Sequence, residues 1–418
     1  MGAADSGDSG RVKRRSRDGR EIRPGPIVGL VAVYALFLWL VPVSIWKPGH
    51  VVWPAANVQV TEAEAWVKGS LSLPERGWDT ALCDGRVYSH FPPLMTFVSC
   101  VVFLCGWEGV PFNLLAILFV LPVPGLAYVL FLRRCPSVFG ALVMTCAFVM
   151  GTSELLVMCR ALQSGKVWQL NHAVSQVGLI LLLMDVYGRR RGWLGGVGLI
   201  ICVWTRYTMA AYAGPLLWSV FAGEDRRRAA KIGAVSAVVL AVGVPMALNA
   251  LKFGNPLDSG YALIYEGRHD DPTDQFAQDA KKYGVFSTAF LARNLWAMNV
   301  GPPNVVERRE GKRLEPNTEC TGIWWTTPLL LFLFIDRRRI WAERSNRAVL
   351  AAVVVVYGAL MLFHTTGAEQ RGYNRFSLDF LLPLLTMIAP FAFEGKRRYA
   401  TTAMAASSIW YFVFWVGA

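Results

Sequence analysis

Charge is scarce in this chain. Of its 418 residues only 17% are Asp, Glu, Lys or Arg, while 54% are hydrophobic and the mean hydropathy is +0.38. So little charge excludes an ordinary soluble domain of this length. The sequence also lacks a phosphate-cradling glycine-rich loop, a zinc-ligand spacing and a nucleophile elbow. Those absences remove P-loop chemistry, a zinc centre and an α/β-hydrolase-type serine from consideration, and neither a metal nor a cofactor is expected. A cleavable signal peptide is not expected either. The lead MGAADSGDSG is followed by RVKRRSRDGREIR and then by an apolar run too long for a signal sequence. Residues 1–25 read as a disordered basic cytoplasmic tail ahead of a retained transmembrane helix.

What remains is a series of apolar runs. Pro26–Trp46, Val110–Leu132, Ser137–Cys159 and Lys231–Leu251 each approach the roughly 20 residues that cross a bilayer. The formal net charge is +13, but the basic residues lie in short clusters between these runs: 11–23, Arg133-Arg134, Arg189–Arg191, Arg226–Arg228, Arg337–Arg339 and Lys396–Arg398. That is the pattern of cytoplasmic connectors, so the expected partner is the lipid bilayer and not nucleic acid. Placing every cluster inside predicts an all-α, polytopic membrane protein of about 11 transmembrane helices, its N-terminus cytoplasmic, in the inner (plasma) membrane. The transmembrane domain occupies 26–418. External loops fall at about 47–109 and 252–321, and the first contains juxtamembrane helices. Leu94–Trp107 is short for a span and is expected not to cross. Trp193–Ala222 reads as an out-and-back pair turning near Arg206, and Gly322–Ile335 as one returning span.

The same alternation puts the unusual polar residues on one face, opposite the basic clusters. In the first loop Val60–Gly69 has helical propensity, with Glu62 and Trp66 on one face and Glu64 pointing elsewhere. Next comes DTALCDGRVYSHFPP, Asp79 to Pro93. Asp79, Glu62 and Glu64 are the candidate general bases. Arg86, Tyr88 and His90 alternate, so an extended segment projects them to one side, where Arg and His could bind phosphate. Arg206 interrupts an apolar stretch, where a charge is usually functional or paired. NALKFGNPLDSGY brings Lys252, Asp258 and Tyr261 to a membrane exit. Near the end, Arg371, Tyr373 and Arg375 precede a helix on which Arg375 and Asp379 are spaced to pair. Arg371 and Arg375 are candidates to grip a lipid-linked phosphate. RHDDPTDQFAQD, 268–279, reads as an exposed acidic loop. Cys83 and Cys320 fall on the external face, where an oxidising compartment would permit a disulfide.

Four segments resemble the bacterial multi-spanning glycosyltransferases of the GT-C fold, the group of the protein mannosyltransferases and aminoarabinose transferases. They are AEAWVKGSLSLP, DTALCDGRVYSHFPPL, NALKFGNPLDSGY with FSTAFLARNLW, and NRFSLDFLLPLL. The resemblance implies an enzyme that takes a sugar from a polyprenyl-phosphate carrier and transfers it, on the external face, to a glycan, lipid or protein acceptor. It also implies that a first-loop acid is the base and that basic residues hold the carrier phosphate. Where many such enzymes carry an early first-loop Asp, this chain reads PAANVQV, with Asn57 and Gln59. That departure favours Asp79, then Glu62, as the base. A transporter or flippase for a lipid-linked or small anionic solute, and an inactive scaffold of the same fold, are the competing classes.

Overall fold

The structure is a computed structural model that describes residues 24–40, 57–164, 167–222, 228–266, 268, 271–308, 311–315, 317, 319–368, 370 and 372–416. It is mostly helical. The chain opens with α1 (Pro24–Leu40) and α2 (Val58–Val67), followed by the hairpin β1 (Thr80–Cys83) and β2 (Arg86–Ser89). Next come α3 (Leu94–Leu104), α4 (Phe112–Val120), α5 (Pro122–Arg134), α6 (Val138–Val149), α7 (Glu154–Ser164), α8 (Val167–Val186) and α9 (Trp193–Val203). A 3₁₀ turn at Tyr207–Tyr212 leads into α10 (Ala213–Phe221), and then α11 (Arg228–Phe253), α12 (Gln275–Tyr283) and α13 (Leu291–Leu295). A second hairpin, β3 (Asn304–Arg308) with β4 (Gly311–Glu315), precedes α14 (Ile323–Thr326), α15 (Phe332–Ile335), α16 (Arg337–Ala342), α17 (Arg344–Leu362), α18 (Leu378–Ala392) and α19 (Arg397–Trp410). The two hairpins correct the all-α expectation at the margin. Helix α1 takes in Pro24 and Gly25, which the sequence assigned to the tail; the rest of that tail lies outside the described residues.

Five helical segments are long and apolar enough to cross a membrane: Leu114–Arg134, Val167–Val186, Arg228–Phe253, Arg344–Leu362 and Arg375–Ala392. Two expected spans are broken. Ser137–Cys159 divides into α6 and α7, which meet at 61°. Polar side chains make that bend. Thr152 Oγ1 donates to the Phe148 carbonyl at 2.6 Å and accepts the Glu154 N–H at 3.2 Å, taking over the groups that would continue the helix. Gly322–Ile335 likewise splits at Thr327-Pro328, where proline has no N–H to extend the ladder. Helix α3 has 11 residues, about 16 Å at 1.5 Å per residue and well short of a hydrocarbon core.

The main core runs through α4–α10, α17 and α18, with Tyr128, Phe131, Phe148, Tyr212 and Phe380 fully enclosed. A second, small core of Ile264, Tyr265 and Ala277 lies under the segment that follows α11. The turns at one end of the bundle are tied by carboxylate–arginine pairs: Arg134 with Glu343, Arg397 with Asp336 and Arg339 with Glu394. From that basic end α17 runs to Leu362 at the opposite end, and α18 runs back from Leu378.

Candidate functional site

The stretch from Asp79 to Pro93 is a hairpin. Asp84 and Gly85 sit at φ 50 and 73, the two-residue turn for which Asp-Gly is suited because both positions need positive φ. The register pairs Thr80 with Ser89, so Asp79 and His90 face each other at the open end. The His90 ring donates from Nδ1 to the Asp79 carbonyl at 3.1 Å; a carbonyl only accepts, which fixes the tautomer. Burial lowers the His90 pKa to about 3, assisted by the Lys252 charge and opposed by that hydrogen bond, so the ring is neutral at any ordinary pH.

Behind the hairpin is a cavity of about 600 Å³, within the range of small-molecule sites. Asp79, His90, Arg206, Tyr261 and Arg375 line it, joined by Trp168, Asn171 and His172 from the start of α8, and by Arg268. Burial pushes the Asp79 carboxyl up to about 6, with Arg268 and Arg375 pulling the other way. Arg268 lies 4.2 Å from the Trp78 ring centroid and 3.2 Å from Asp274.

Arg206 and Arg375 differ sharply. Arg206 reaches Asp379 at 2.7 Å and donates from Nη1 to His172 Nε2 at 2.9 Å. Thr208 and Tyr212 complete the shell around Asp379, the first on its carboxylate at 3.1 Å, the second on its carbonyl at 2.7 Å. Asp379 therefore pairs with Arg206 and not with Arg375 as the helical spacing predicted. Arg375 has no carboxylate partner among the described residues, and its buried Nε has no hydrogen-bond partner there either. It is a guanidinium facing a cavity with its donors uncommitted.

The other sequence candidates stand elsewhere. Glu62 is fully buried but outside the cavity wall. Its carboxylate is paired with Lys252 and accepts from Thr96 Oγ1 at 2.7 Å. Lys252 also donates to the Ser89 carbonyl at 3.2 Å. Glu64 lies on the opposite, exposed face, paired with Lys68. Arg86 opens strand β2 and is exposed near the hairpin tip, whereas Tyr88 and His90 farther along are buried. Tyr88 packs edge-on against Phe253. Asp258 accepts the Gly260 N–H at 2.8 Å, forming a turn. Tyr373 is buried beneath Arg160. Arg371 lies outside the described residues. All eight cysteines, Cys83 and Cys320 included, are free thiols.

Sequence reasoning missed Arg268, Asn171 and His172. The last two carried a readable signal, polar side chains at the head of an apolar helix. Arg268 was hidden by the acidic residues that follow it. Among the described residues no three His, Cys, Asp or Glu side chains are grouped to hold a metal ion. Comparison of the chain with protein-family models, curated proteins and solved structures finds no match.

Proposed function

We propose that this protein is a glycosyltransferase that uses a polyprenyl-phosphate-linked sugar on the external face of the membrane. The observation that carries the reading is one cavity containing both a carboxyl poised near pH 6, Asp79, and a guanidinium without a carboxylate partner among the described residues, Arg375. The four segments resembling GT-C enzymes support it, as does the separation of this cavity from the basic end of the bundle. The proposed topology has about 11 crossings, the shorter and broken helices included.

In the reaction, the acceptor hydroxyl attacks the sugar C1. Its O–H proton passes to the Asp79 carboxylate, the C1–O bond to the phosphate breaks, and the electron pair leaves on the carrier phosphate. Arg375 stabilises the charge that develops there. Arg206, neutralised by Asp379, shapes the wall between α8 and α18.

Transfer from a radiolabelled polyprenyl-phosphate sugar in membranes tests this. Activity is expected in the natural chain and lost in Asp79→Asn and Arg375→Ala; transfer unchanged in both variants would remove the site assignment. A second reading, solute transport, draws on the bent α6–α7 pair and on Glu154 at the bend, buried with neither carboxylate oxygen hydrogen-bonded among the described residues. Broken helices with intramembrane acids serve transport. Uptake into vesicles with no transfer from any polyprenyl-linked donor would decide for it.

A further inference from the structure

The basic end of the bundle holds a second concavity, remote from the first. It is a groove of about 850 Å³ between the start of α6 and the outer face of α19, walled by Pro136, Phe139, Phe393, Ala403 and Ala406, with Arg398 and Tyr399 at its rim. Phe139 and Phe393 meet edge to face at 6.2 Å. Gly140 makes that packing possible, since a Cβ there would stand 3.0 Å from the Phe393 ring. The groove is open to the outside of the bundle: Phe139 is 52% and Tyr399 64% exposed. Exposed aromatic rings beside a cluster of basic residues suit the headgroup level of a bilayer.

The charge around the groove has one sign. Asp336 and Glu394 are already taken up by Arg397 and Arg339. Arg398 has no carboxylate partner among the described residues; its Nη2 donates to the Tyr399 hydroxyl at 2.8 Å. Arg337, Arg338, Arg344, Arg347 and Lys396 are exposed at the same end. Helix α1 begins beside the groove, with Gly25 next to Val138. The sequence leading into it carries seven basic and two acidic residues between Arg11 and Arg23. Like charge disfavours that segment as the groove's occupant and adds to its pull on anions.

We propose that this groove binds an anionic phospholipid of the leaflet at the basic end. The phosphate sits at Arg398 and an acyl chain lies against Phe139, Phe393 and the alanine face of α19. The site is independent of the transfer reaction, and nothing in the cavity at the opposite end is needed for it.

Native mass spectrometry of the purified full-length protein in detergent, titrated with phosphatidylglycerol or phosphatidylcholine, tests the assignment. Saturable phosphatidylglycerol binding is expected. Arg398→Gln should weaken it about fivefold, the contribution of one basic side chain at an anionic surface, and leave phosphatidylcholine binding unchanged. Ala406→Trp, which fills the groove, should weaken binding while Arg398 stays in place. Arg347→Gln, outside the groove, should matter less than Arg398→Gln. Equal binding of the two lipids, or an unchanged Arg398→Gln, overturns the proposal. So does phosphatidylglycerol binding that emerges only after residues 1–22 are removed, which would make the chain's own N-terminal segment the occupant.

Discussion

Arg206 and Asp379, 173 residues apart in sequence, form a buried ion pair with 2.7 Å between Nε and Oδ1. The pair joins the break after α9 to the first turn of α18, and His172 is held to it from α8. Removing one member leaves the other charged and buried, which costs about 3–5 kcal/mol. Arg206→Met and Asp379→Leu are each expected to lower the melting temperature in detergent. The double variant, with both charges gone, should recover much of the loss. If the single variants melt like the natural protein, the pair is not holding these helices together.

Asp79 should show the opposite stability effect. Its carboxyl moves from 3.8 to about 6, chiefly through burial, so its charged form is disfavoured in the folded state by at most about 3 kcal/mol. A pKa raised on folding stabilises the fold below the unfolded value and loses that contribution as pH rises through the folded one. Asp79→Asn is therefore expected to melt higher than the natural protein at pH 8, and the advantage should fade as pH falls from about 6 toward 3.8. Transfer by the natural protein should rise with pH through about 6, as the base ionises. The Asn variant should lose about 100-fold or more. A pH-independent rate, or an Asn variant that melts lower at pH 8, contradicts the assignment.

Lys252 acts at one remove. It is paired with buried Glu62 and donates to the Ser89 carbonyl, beside the His90 that holds Asp79. As a positioning residue it should tolerate Lys252→Arg better than Lys252→Met. Neither change should move the pH midpoint of transfer, because Lys252 is not among the groups that set the Asp79 pKa. Glu64→Gln, on the solvent face, should alter neither rate nor melting beyond about 0.5 kcal/mol. A shifted midpoint in Lys252→Arg would instead make the ammonium part of the titrating site.

Much of this arrangement was readable because it is local. The runs 231–251, 348–364 and 376–393 became α11, α17 and α18 with small shifts at their ends. Helical periodicity separated Glu62 from Glu64, but period alone does not say which face is buried. Asp84-Gly85 is a hairpin signal, and reading it as such would have paired Asp79 with His90 in advance. What stayed illegible depends on distance in sequence. The i,i+4 spacing offered Arg375 to Asp379, and Arg206 from the turn after α9 won because its fork reaches the carboxylate together with the Thr208 hydroxyl and is itself held by His172. The 61° bend at α6–α7 was hidden by the hydrophobicity around it, since a single hydroxyl, that of Thr152, takes over the helix hydrogen bonds there.

The contact between Gly178 of α8 and Gly198 of α9 supplies the last test. A Cβ at Gly178 would stand 2.6 Å from the Gly198 carbonyl oxygen and 2.9 Å from the Cys202 nitrogen; one at Gly198 would press on the Gly178 carbonyl and the Leu182 nitrogen. These neighbours are backbone and cannot rotate away. Small residues at such a crossing let two membrane helices approach closely. Alanine would gain about 1 kcal/mol in helix propensity over glycine, but overpacking costs about 1–3 kcal/mol, so Gly198→Ala should be destabilised on balance. Gly243→Ala in α11, where nothing lies within 4 Å of the new Cβ, should be stabilised by the propensity gain alone. The two variants separate packing from propensity in a single melting experiment. Gly198→Ala should also reduce transfer, since α8 carries His172 and α9 leads into Arg206, and pushing these helices apart pulls on the hydrogen bond between the two side chains.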